Sequence, residues 1–78
     1  MQGVNGIREL DPQTAASIKD AEFLKKVISE TEVAARKCAF YAGMASEKDV
    51  KDSFKKEESR LRNAARVFED LYTMLLKG

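Results

Sequence analysis

Two runs of small and aliphatic residues, stepping alternately three and four positions, constrain this chain more than any other feature. The first passes through Ala21, Leu24, Ile28, Thr31, Ala35, Cys38, Ala42 and Ala45. The second passes through Val50, Phe54, Glu57, Leu61, Ala64, Phe68, Leu71 and Leu75. An α-helix turns about 100° per residue, so this alternation keeps every member of a run on one stripe. A strand would scatter the same positions over both of its faces. The sequence therefore predicts an all-α chain: two helices joined by the polar stretch Ser46, Glu47, Lys48 and Asp49. So short a connection folds them back as an antiparallel hairpin.

Start and stop signals place the boundaries. Asp11 can cap exposed amides, and Pro12 suits the first helical position because its missing N–H would be unpaired there anyway. Helix one is expected over about residues 12–45, either unbroken or interrupted near Asp20, a second possible cap. Ser46 and Asp49, three apart, resemble a capping box that opens a second helix over about residues 47–77. Residues 1–10 form a leader with Val4, Ile7 and Leu10 at three-residue intervals, read as a loop or short helix; residues 11–78 are the hairpin. Glu22 with Lys26, Glu32 with Arg36 and Glu58 with Arg62 are acid-first pairs four apart, suited to a solvated exterior.

Composition removes several functions. At 78 residues the chain is one domain, of a size at which a single core supplies only a few kcal/mol. Charged residues make up 35% of the chain but almost cancel, at net +1, leaving no long-range pull on phosphate or anionic lipid. Neither nucleic acid nor membrane is an expected partner. No apolar run reaches the ~20 residues that span a bilayer, and the leader lacks a signal-peptide core, so a cytoplasmic chain is expected. Cys38 is the single cysteine and reads as a small buried hydrophobe on the stripe. The chain has no histidine, which removes the commonest general base and imidazole ligand, and no glycine-rich phosphate loop. No catalytic residue and no cofactor is assigned.

The apolar faces are wider than one helix–helix contact requires. Val27, Ala34 and Tyr41 extend the first stripe; Val67 and Met74 extend the second on one side, Ala65 and Tyr72 on the other. This width predicts a homodimer of hairpins forming a four-helix bundle, with Leu24, Ile28, Phe54, Leu61, Phe68, Leu71 and Leu75 as its self-association seam. Val33, Phe40 and Met44 lie opposite the stripe, either as scattered surface apolarity or as a contact for a protein partner or the leader.

Glu57 is the polar residue to explain, because it interrupts the second stripe between Phe54 and Leu61, where an unpaired charge is costly. An ion pair with Arg36 or Arg60 would account for it. The alternative is a carboxylate-only metal site, shared between subunits, formed by Glu57 with Glu30 or Glu32.

The string from Phe23 to Leu71 resembles the helical hairpin of rubrerythrins and related ferritin-like spore-coat proteins. The likeness rests on Leu24 and Lys25, the glutamates mid-helix, Phe40, Tyr41 and Ala42 leading into Met44 and Ala45, then Val50, Lys51 and Phe54, and finally Asn63 to Phe68. The resemblance implies a ferritin-like four-helix bundle. It also implies where metal ligands would stand: an inward glutamate on helix one and a Glu-x-x-His pair on helix two. Thr31 holds the first place; Leu61 and Ala64, or Arg60 and Asn63 in the neighbouring register, hold the second. The function expected is a non-catalytic structural or protein-interaction module of ferritin-like type, with carboxylate-only metal binding as the alternative.

Overall fold

A computed structural model of the protein describes residues 12–77, with side chains from residue 15 onward. The leader and the Asp11 cap fall outside these residues. Two helices, α1 (Pro12–Met44) and α2 (Lys48–Lys77), pack against each other, and the described residues contain no strand. Helix α1 passes Asp20 without a break.

The connection differs from the expected capping box by one residue. The Ala45 N–H donates to the Tyr41 carbonyl at 3.0 Å, carrying the helical bonding of α1 one step past Met44. The Lys51 N–H donates to the Glu47 carbonyl, also at 3.0 Å. A residue outside a helix whose carbonyl accepts the first helical bond is the N-cap, so Glu47, not Ser46, holds that position. Asp49 stands in the first turn of α2 and Lys77 in the last, each matching the sign of the helix dipole.

The stripe of α1 faces α2 as expected. Ala21, Ala35 and Ala42 are buried, and Leu24, Ile28, Thr31, Cys38 and Ala45 are half-buried between them. Cys38 is a free thiol and only half-buried, less enclosed than its small apolar role implied. In α2 the contact uses a stripe rotated by one residue. Phe54, Leu61, Phe68 and Leu75 belong to it as expected, but their companions are Lys51, Glu58, Ala65 and Tyr72, with Ala65 buried. Val50 and Leu71 are exposed, and Glu57 lies at the edge. Either companion set fits a three-four alternation, so periodicity alone does not separate them. Lys51, Glu58 and Tyr72 can lay apolar stems along α1 and keep their polar ends in water, which makes them acceptable companions in a thin contact.

The Tyr41 and Phe54 rings stand 5.4 Å apart near the turn, and Leu24 shares a groove with Leu71 and Leu75 at the other end. This antiparallel register sets Ala42 against Phe54, Ala35 against Leu61, Ile28 against Phe68 and Ala21 against Leu75. At three of these four levels an alanine thus meets a large side chain, the arrangement that fills space without strain. Thr31 donates its hydroxyl to the Val27 carbonyl at 2.7 Å, so its polar group is satisfied within α1.

The hairpin is one helix thick, and the 33 residues of α1 run about 50 Å. Its buried apolar residues are four alanines, and no large side chain among the described residues is fully enclosed. Two substitutions should move thermal unfolding, followed by circular dichroism, in opposite directions. Ala35→Leu, at a fully buried position facing α2, should destabilise by about 1–3 kcal/mol through overpacking. Gly43→Ala should stabilise by about 0.5 kcal/mol, because an added Cβ meets no atom within 4 Å and helical glycine carries an entropic cost.

Candidate interaction face

An antiparallel helix pair has two broad faces, and each collects the matching edge of both helices. One face of this hairpin is charged: Lys25 and Glu32 from α1 lie on the same side as Lys55, Arg62 and Glu69 from α2. On this side the Arg62 guanidinium binds the Glu58 carboxylate at 2.8 Å, while Lys48 and Asp52 pair at 2.8 Å beside the turn.

The opposite face is apolar. Helix α1 contributes Phe23, Val27, Ala34, Tyr41 and Met44, and α2 contributes Val50, Ala64, Val67, Leu71 and Met74. Two contacts fix these edges on one side. Phe23 and Leu24 line a single groove with Leu71, Met74 and Leu75 at the open end, and Tyr41 reaches Phe54 at the turn end. Phe23, Met44 and Met74 are 65%, 68% and 67% exposed, and Leu71 is 42% exposed. Seven of the eleven large apolar side chains exposed among the described residues lie on this face, so they form a surface and are not scattered.

The predicted site residues separate accordingly. Leu24, Ile28, Phe54, Leu61, Phe68 and Leu75 are occupied by the contact between α1 and α2, whereas Leu71 belongs to the open face. Val33, Phe40 and Met44 are all exposed, with the Phe40 and Tyr41 rings 6.0 Å apart; only Met44 reaches the apolar face. Glu57 does not occupy the seam. It stands at the rim of the apolar face, its side chain 42% exposed, and accepts two hydrogen bonds from the Arg60 guanidinium, one of them 3.0 Å long. Arg60, not Arg36, is its partner. The seam carboxylate is Glu58, 24% exposed and held by Arg62, a role the sequence reading did not give it.

Within one chain, Glu30, Glu32 and Glu57 are not gathered. Glu30 and Glu57 lie toward the apolar side and Glu32 toward the charged side, and no group of three or more Cys, Asp or Glu side chains among the described residues is placed to hold a metal ion. No helix among the described residues is long and apolar enough to cross a membrane.

The Arg60 guanidinium holds the Glu57 carboxyl below its ordinary value, chiefly through hydrogen bonding; desolvation opposes this, and charge attraction adds a lesser lowering. A depressed carboxyl favours the folded chain above its unfolded value, and that contribution is lost as pH falls through the folded value. A carboxyl-detected NMR titration should find the Glu57 midpoint below that of an unpaired glutamate, and Arg60→Gln should return it to the ordinary range.

No protein-family model, curated protein or solved structure matches the chain.

Proposed function

We propose that this protein is a non-catalytic structural or protein-interaction module, a helical hairpin that self-associates face to face into a four-helix bundle of the ferritin-like kind. The observation that supports this most is the amphipathic character of the whole hairpin, with one face charged and the other lined by ten apolar residues from both helices. The seam that the sequence nominated for self-association is already occupied inside the hairpin, so the association uses the second face.

A bundle would also supply what the hairpin lacks, a core deeper than four alanines. Thr31, Leu61 and Ala64 in the places where a metal-binding relative would carry ligands agree with a bundle that has no oxidase chemistry.

Sedimentation equilibrium at micromolar concentration should find a dimer. Replacing Leu71 and Met74 together by lysine should give a monomer with helical circular dichroism at low temperature, because both side chains are exposed at the rim of the α1–α2 contact and a lysine there can reach water. A folded wild-type monomer, or a dimer untouched by the double replacement, would overturn the proposal.

A further inference from the structure

Five charged side chains stand on the apolar side: Glu57 and Arg60 on α2, Glu30 and Lys37 midway along α1, and Asp20 at the open end, where it lines the groove with Phe23 and Met74. Glu57 and Arg60 satisfy each other. Glu30 and Lys37 are exposed and take no part in the ion pairs among the described residues. They stand seven residues apart, about 10 Å along the helix. Covered by any neighbour, each would need an opposite charge facing it.

We infer that the occupant of this face is a second copy of the chain lying end over end. The turn of one hairpin covers the open end of the other, α1 packs on α1, and Glu30 and Lys37 pair across the interface to set that orientation. The inference rests on the self-associating reading above. Its basis is a coincidence of midpoints along α1. Glu30 and Lys37 are centred beside Ala34, and so are Phe23 and Met44. One two-fold rotation there brings Glu30 over Lys37 of the second copy, Lys37 over its Glu30, and Phe23 over its Met44. The small side chain of Ala34 sits beside the axis, where the helices come closest. In the register set by the Tyr41 and Phe54 contact, the same axis carries Val50 over Met74 in α2. The open-end groove formed by Phe23, Leu71 and Met74 thereby receives the exposed apolar side chains at the turn end.

The competing arrangement keeps both turns at the same end and packs α1 on α2. It sets Glu30 against Ala64 and Val67 with no facing cation, and it makes Lys37 compete with Arg60 for Glu57. The end-over-end arrangement gives Glu30 and Lys37 facing partners and leaves the Glu57–Arg60 pair intact.

Two measurements test the orientation. In sedimentation equilibrium at low salt, Glu30→Lys and Lys37→Glu should each weaken the dimer by about tenfold, since attraction becomes repulsion at two symmetric places. The combined exchange should restore it. In a Cys38→Ala chain, Ala34→Cys should form an interchain disulfide on mild oxidation, because position 34 meets its own copy beside the axis. A dimer indifferent to both single exchanges, or one in which Ala34→Cys fails to cross-link, overturns the orientation and leaves self-association standing. A wild-type monomer overturns both.

Discussion

The contact between α1 and α2 is the interaction on which everything else in this molecule depends. It is built from alanines on α1 that face larger side chains on α2, with Ala35 fully enclosed and Ala65 the buried residue of the second helix. Alanine contributes little buried area, so the contact gains from closeness and fit more than from apolar volume. A pair of helices held this way stays thin. Large apolar groups that a globular core would enclose are left half-buried in the seam or exposed on one face.

That thinness links the fold to its proposed role. A one-layer hairpin cannot bury both stripes of α2 at once. The stripe with Lys51, Glu58 and Tyr72 goes inward because those side chains can reach water past the edge of a narrow contact. Of the other stripe, Ala64 is half-buried at the edge, and Val50 and Leu71 are left exposed, where they join Phe23, Tyr41 and Met44 of α1. The more apolar stripe of α2 therefore serves the surface. Glu57 takes its character from this arrangement. It belongs to the outer stripe, and its charge is met by Arg60 one turn away on the same helix. Glu58 carries the burden expected of Glu57, with Arg62 as its partner.

Much of the architecture was legible in the residues. The stripe of α1, the start at Pro12 and the antiparallel return follow from spacing and from the chemistry of capping, whereas the continuity of α1 past Asp20 was left open and is decided by the structure. Less could be read at the turn, where Ser46 and Glu47 are both able to begin a helix and backbone hydrogen bonding decides for Glu47. The candidate face was only half legible. Val27, Ala34, Tyr41, Val67 and Met74 stood out as extra width, but assigning Val50 and Leu71 to the seam hid the fact that this width forms one continuous side.

The sequence by itself determined that this is a pair of long helices, because a three-four alternation keeps its members on one side of a helix, and it named the side of α1 that carries Ala21, Ala35 and Ala42 as inward. The tertiary structure decided which of two adjacent stripes α2 turns toward its partner. Periodicity is the same for both, and the choice depends on how closely two particular surfaces fit and which side chains can escape to water. That rotation of one residue places Leu71 and Val50 outside. It turns two amphipathic helices into one amphipathic hairpin.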